Sequence, residues 1–225
     1  MMPGHSEDPV VRALRNYSTC DVSDALCKLN VPNGGFLAGI TMWSPQRQDG
    51  PTRMVGTAYT VKYVPVDDPA PSYPTHYIDS VPEGSVIFVS TPNIPNAVFG
   101  GLMGARACAS KAAGAVIDGR FRDLQEQRDL TFPVFARDVG TAPPKELVRV
   151  VEVNVPVKLQ SSEQDITINP GDYLMGDLNG VVVIPKDLAQ KTLPLMRKQV
   201  EADSNMAVEI NMGVTFTEAA KKFRM

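Results

Sequence analysis

Between Ser85 and Arg137 the chain repeats one pattern, a short apolar run followed by a loop or helical stretch and another short apolar run. The runs are residues 85–90 (Ser-Val-Ile-Phe-Val-Ser), 115–118 (Ala-Val-Ile-Asp) and 133–136 (Pro-Val-Phe-Ala). Runs this short suit buried strands better than helices. Residues 102–113, between the first two runs, are rich in Ala, Met, Arg and Lys and favour helix. Gly114 then reads as the cap that closes it. Residues 124–130 read as a second, shorter helix. Strand and helix in alternation predict an α/β core.

Around that centre, residues 10–29 read as helical with a break at Ser18 or Thr19, and Asp21 or Ser23 as the cap of the second piece. Residues 31–35 (Val-Pro-Asn-Gly-Gly) are a turn cluster, and 54–64 read as a strand. Residues 66–74 form a Pro/Asp loop holding Asp67 and Asp68, 75–80 a short helix, and 91–101 a loop. The last third is richer in strands: 148–157, 164–168, 173–175 and 181–184. A long helix is predicted over 188–210, with Pro194 near its first turns, and a last helical piece over 217–223. No linker or internal repeat interrupts the pattern. The expectation is one domain over 1–225, with 1–9 flexible and 188–225 a C-terminal helical segment at a subunit interface.

Composition narrows the function. The 225 residues carry a net charge of −3, so no basic face for nucleic acid is implied. Three cysteines without ligand spacing (Cys20, Cys27, Cys108) suit a reducing compartment. Two histidines, His5 and His76, exclude a His-rich zinc site by inventory. The polar first eight residues lack a signal-peptide core, and no apolar run is long enough for a bilayer. A cytoplasmic protein without membrane or nucleic-acid partners is expected. Nucleotide and serine-hydrolase readings lose support, because no Walker loop, no Gly-x-Gly-x-x-Gly and no Gly-x-Ser-x-Gly occurs.

The chemistry-bearing residues gather around the second run. Gly100-Gly101-Leu102-Met103 opens the helix, and glycines there allow a tight bend and close approach to a ligand. The amides of Leu102 and Met103 begin the helix and can hold a carboxylate. After the next strand come Arg122, a planar fork for carboxylate or enolate oxygens, and Asp123, a hard oxygen donor for Mg2+ or Mn2+. Glu126 stands three residues on, on the same side of a helical turn. The bland alternatives are a plain glycine turn and a solvated cluster of Arg120, Arg122, Asp123 and Glu126. Asp118 reads as a turn cap rather than a site acid. Asp21, Ser23 and Asp24 read as helix caps, and Asp177 and Asn179 as turn residues. Lys62 is a solvent-facing lysine more readily than a Schiff base.

Gly101, twenty residues, then Arg122-Asp123-x-x-Glu126 resembles the motif of the RraA-like proteins, a family that includes 4-hydroxy-4-methyl-2-oxoglutarate aldolases. Cys20-Asp21-Val22-Ser23-Asp24-Ala25-Leu26, Ala115-Val116-Ile117-Asp118-Gly119, Pro133-Val134-Phe135-Ala136-Arg137 and residues 176–185 carry the likeness across most of the chain. The resemblance implies a compact α/β/β/α sandwich with a β-rich central sheet, assembled as a homotrimer or hexamer with active sites between subunits. It implies a keto-acid substrate held by Gly100, Gly101, Leu102, Met103 and Arg122. Catalysis would rest on Arg122, Asp123 and Glu126, with a divalent metal, Mg2+ first, on Asp123 and Glu126 acting through water. Some metal-dependent members carry an acid where Gly101 stands. This chain follows the glycine variant, and Glu201 or Glu209 of a neighbouring subunit is a candidate to complete the shell. The implied reaction is cleavage of 4-hydroxy-2-keto acids to pyruvate, with oxaloacetate decarboxylation beside it. The rivals are a non-catalytic regulator that binds a ribonuclease, and a lyase or isomerase of secondary metabolism.

Overall fold

In the computed structural model, residues 8–224 are described. Of the N-terminal stretch expected to be flexible, residues 1–7, including His5, lie outside them. Asp8 caps helix α1 (Pro9–Leu14) by accepting from the Val10 amide and also receives the Tyr173 hydroxyl. Helix α2 (Thr19–Lys28) follows the predicted break. Ser18 is its cap, in a reciprocal pair in which Asp21 accepts from the Ser18 amide at 2.7 Å.

A 3₁₀ turn at Pro32–Gly35 leads into strand β1 (Thr41–Ser44), which the sequence pattern did not reveal. Then come β2 (Met54–Pro65), a 3₁₀ turn at Tyr77–Ser80, β3 (Val86–Ser90), β4 (Ala97–Phe99), α3 (Gly101–Ala109), β5 (Gly114–Phe121), α4 (Leu124–Asp129) and β6 (Val134–Val139). Strands β7 (Val148–Val153), β8 (Val157–Lys158), β9 (Thr167–Ile168), β10 (Tyr173–Asp177) and β11 (Gly180–Ile184) precede the long α5 (Ala189–Asn211) and α6 (Phe216–Phe223). Contrary to the sequence expectation, Gly114 does not cap α3. Ser110 does, and Gly114 begins β5 because a Cβ there would meet the Met54 sulfur at 2.5 Å and the Pro133 carbonyl at 2.9 Å.

Nine strands form one mixed sheet in the order β1-β6-β5-β3-β2-β10-β11, with β4 on β5 and β7 on β2. The middle strands β2, β3, β5 and β6 run parallel, and β1, β7, β10 and β11 join antiparallel. The segment before β1 reaches the far edge, where Leu37 donates to Val181 and Phe36 bridges Val182. The sheet is thereby nearly closed on itself.

Its two faces follow the period of two that strands impose. Val86 and Phe88 of β3, Val116 of β5 and Phe135 of β6 point inward to Leu174, Val181 and Val183 of the hairpin. Ile87, Val89, Ala115, Ile117, Val134 and Ala136 point outward, beneath α3 and the Tyr77–Ser80 turn. On the other side α1, α2 and α5 cover Tyr173, Met175, Val182 and Ile184. The result is the helix, sheet, sheet, helix layering expected, with an apolar core between the two halves of one curled sheet. Burying a ring such as Phe88 or Phe135 contributes about 2–3 kcal/mol. Both faces of the parallel strands are covered, so their apolar runs are continuous rather than alternating.

Candidate active site

The twenty-residue spacing of the motif has a structural cause. Strands β4 and β5 are parallel neighbours and Phe99 lies in register with Phe121. Gly100-Gly101 and Arg122-Asp123 therefore leave the sheet side by side, and the Arg122 amide donates to the Phe99 carbonyl at 2.9 Å. The intervening residues are α3 and β5, the crossover that a parallel neighbour requires. The site thus lies beyond the carboxyl ends of parallel strands, where open α/β sheets place ligands.

Asp123 holds the N-cap position of α4 in the left-handed region (φ 60°, ψ 45°), with no capping bond from its side chain. That conformation costs a typical L-residue about 1–2 kcal/mol, less for Asp. It turns the carboxylate back toward α3, where Oδ2 accepts from the Gly101 amide at 2.9 Å. The anion sits at the positive end of α3. Arg122 Nε lies 3.6 Å from the same oxygen, and Nη1 reaches the Thr141 carbonyl only at 3.5 Å. The guanidinium is loosely held, 39% exposed, and open to a ligand.

Two expectations change here. The amides of Leu102 and Met103 do not form a free pair: Met103 donates to the Gly100 carbonyl at 3.1 Å, and the first amide of the helix is already given to Asp123. The glycines are needed for space rather than for bending. Gly100 is extended (φ −139°), and a Cβ on it would meet Asp123 Oδ2 at 2.8 Å. A Cβ on Gly101 would stand 1.7 Å from Glu126 Oε2. Glu126 therefore fills the space that a side chain at 101 would take, which accounts for the glycine variant of the motif in steric terms.

Gly100, Gly101, Leu102, Met103, Arg122, Asp123 and Glu126 all border one cavity of about 510 Å3. The sequence did not assign two further residues to it, Tyr63 and His76. Burial pushes the Tyr63 hydroxyl well above its ordinary range, so it is a neutral dipole, and it donates to the Val98 carbonyl. Tyr63 lies toward the end of β2 and His76 at the entrance to a 3₁₀ turn, with no periodic signal to mark either; their being among six tyrosines and two histidines was the available clue.

Other candidates go elsewhere. Arg120 leaves the expected cluster and pairs with Asp138 at 3.4 Å. Asp118 is no turn cap: it lies within β5, its side chain fully buried, accepting from Arg137 Nε at 2.6 Å and from the Gln160 amide at 2.5 Å. Burial pushes its carboxyl above the ordinary value, against the pull of Gln160 and Arg137. Asp177 does more than shape its turn; it accepts from both the amide and the hydroxyl of Thr19. Asp24 borders a different cavity with Cys27, Lys28 and Arg224. Asp68 accepts from Ala70 within its own loop, and Lys62 pairs with Glu152 on the exposed face of β2 and β7.

Among the described residues no three His, Cys, Asp or Glu groups are arranged to hold a metal. Asp123 and Glu126 offer two carboxylates at one cavity, and in this chain Glu201 and Glu209 do not border it, Glu209 being paired with Lys222. Two hard oxygen donors suit Mg2+, which keeps several waters and takes the rest of its shell from substrate; they do not suit zinc.

The RraA-like family model (Aldolase/RraA) matches residues 19–183. Protein DlpA of Legionella pneumophila is 30% identical over 187 residues, 82% of this chain, and this chain spans only 29% of DlpA's length. A putative 4-hydroxy-4-methyl-2-oxoglutarate aldolase of Halalkalibacterium halodurans is 28% identical over 151 residues, 67% of this chain and 69% of that protein. The crystal structure of an uncharacterized protein from Pseudomonas syringae pv. tomato is similar at TM-score 0.80 and 33% identity, covering 96% of both chains. Streptomyces coelicolor RraAS2, described as an unusual member of the RNase ES inhibitor RraA protein family, shares the fold at TM-score 0.72 and 23% identity, covering 91% of this chain and 100% of that one.

Proposed function

The chain belongs to the RraA-like (Aldolase/RraA) family, and from that premise we propose that it is a divalent-metal-dependent lyase. Its substrates are 4-hydroxy-2-keto acids such as 4-hydroxy-4-methyl-2-oxoglutarate, cleaved to pyruvate, with oxaloacetate decarboxylated at the same site. The observation that carries this reading is the convergence of a loosely held guanidinium and two carboxylates on one cavity. A non-catalytic binding surface has no need of that set.

Both reactions break a bond to C3 of a 2-keto acid and leave an enolate. Arg122 places positive charge where the enolate oxygen forms. The left-handed turn at Asp123 and the Gly101 amide fix the carboxylate that would hold Mg2+, with Glu126 reaching the ion through water. When bound, the metal supplies Lewis-acid polarisation of the keto group. Gly100 and Gly101 leave room for the Asp123 and Glu126 carboxylates, and the exposed Leu102 also borders the cavity. A homotrimer or hexamer, with α5 and α6 at the subunit contact, belongs to the same proposal.

The test is a lactate-dehydrogenase-coupled pyruvate assay over 4-hydroxy-2-keto acids and oxaloacetate. Pyruvate forms with Mg2+, stops with EDTA and resumes when Mg2+ is returned. Undiminished turnover in EDTA refutes the metal role, and no pyruvate from any keto acid favours a protein-binding regulator instead.

A further inference from the structure

We infer that the Tyr63 hydroxyl holds the C4 oxygen of the substrate, and that the Tyr77 hydroxyl backs it from inside the core. The inference rests on the lyase reading above and names a group for the half of the substrate that the metal and Arg122 leave unheld. In aldol cleavage the C4 hydroxyl loses its proton while the C3–C4 bond breaks. Glu126, the cavity's second carboxylate, takes that proton, and the electron pair of the bond stays on C3 as the enolate. The C4 oxygen therefore carries developing negative charge before its carbonyl is complete. A fixed donor aimed at such charge, away from water, stabilises the transition state.

Tyr63 borders the cavity from β2, whereas Arg122, Asp123 and Glu126 come from the stretch after β5 and from α4. Its ring meets Tyr77 edge to face, with centroids 6.3 Å apart and planes at 84°, which restrains where the hydroxyl points. The O–H donates to the Val98 carbonyl at 3.3 Å, long for a hydroxyl, and so is easily given to a better acceptor. Behind it Tyr77 is 2% exposed, and its hydroxyl has no hydrogen-bond partner among the described residues. Burial first, and then the neighbouring Tyr63 hydroxyl, push it well above its ordinary value, so it stays a donor. Buried donors are seldom left unmade. When Tyr63 donates to substrate, its oxygen accepts from Tyr77, and each bond polarises the next. A neutral donor suits an oxygen that is charged only in passing. Arg122 is the one Lys or Arg at the cavity, and it serves the enolate end. His76 is a second neutral donor there, since its Nδ1 accepts from the Ile78 amide and Nε2 holds the proton, but it is exposed and water competes for that N–H.

The experiment compares two reactions of the protein with Mg2+. One is cleavage of a 4-hydroxy-2-keto acid. The other is exchange of the methyl protons of pyruvate in D2O, followed by NMR, which forms the enolate with nothing at C4. Tyr63→Phe keeps the ring; it lowers kcat/KM for cleavage roughly ten- to a hundredfold and leaves exchange within about twofold of wild type. Tyr77→Phe lowers cleavage less, and adds nothing once Tyr63→Phe is in place. In urea, without substrate or metal, Tyr77→Phe unfolds no earlier than wild type, because the hydroxyl it removes is unbonded. Cleavage within about twofold of wild type in Tyr63→Phe, or exchange that falls as far as cleavage, overturns the inference and leaves the lyase reading standing. Losses that add in the double variant, or early unfolding of Tyr77→Phe, overturn the role of Tyr77 behind it. A wild type that neither cleaves nor exchanges removes the lyase reading and the inference with it.

Discussion

Two arginine–aspartate pairs flank strand β5 and have opposite characters. Arg137 and Asp118 meet across β6 and β5 at 2.6 Å, the carboxylate has no exposed side-chain surface, and both of its oxygens are taken. The Arg137 guanidinium also donates to the carbonyls of Ala38 and Gln160, so one residue ties two loops to the sheet. Arg122 and Asp123, adjacent in sequence, stand 3.6 Å apart with more than a third of each side chain exposed. The same two residue types form a closed clamp in one place and a loose, partly exposed pair in the other. Both pairs border a cavity of about 510 Å3, so it is residual hydrogen-bonding capacity and exposure that separate them.

That contrast can be broken. The largest expected effect is on catalysis: Arg122→Ala lowers kcat/KM by about two to three orders of magnitude, roughly 3 kcal/mol of transition-state stabilisation. Its stability in urea shifts by no more than about 0.5 kcal/mol. A large loss of stability with normal kinetics would make the open pair a clamp as well. Next in size, Asp118→Asn lowers the unfolding free energy by about 3 kcal/mol, the lower end for a broken buried pair because Arg137 retains some contact with water. Chemical denaturation at neutral pH measures it, and a loss below about 1 kcal/mol would show that the clamp is dispensable. The smallest effect sharpens the site itself. Gly101→Ala forces Glu126 aside and lowers kcat/KM about tenfold. Adding Gly101→Ala to Glu126→Ala then costs little more, since the carboxylate it would displace is already gone. Simple additivity of the two changes would separate glycine from Glu126.

The legible parts of the molecule are those buried on both sides. β3, β5 and β6 announce themselves because continuous apolar runs satisfy two covered faces at once. β1 and β4 were hidden because they are four and three residues long and sit among prolines. The residues of the cavity were legible as a motif, yet their hydrogen bonds were not: which amide of α3 meets Asp123 depends on a left-handed turn that Asp and Gly signal poorly. The Asp118–Arg137 clamp left one usable trace. Each residue follows the apolar run of its strand, and parallel neighbours in register place such followers side by side. His76 carried no pattern at all, since its placement depends on the path of the loop after β2.

One long-range tie shapes how the chain is made. Thr19 gives both its amide and its hydroxyl to Asp177, 158 residues later. On the ribosome, α2 emerges long before its anchor, and β2 waits for β10 to cover part of one edge. A nascent chain arrested before Tyr173 therefore carries a bare strand border, the surface through which unfinished chains pair with one another.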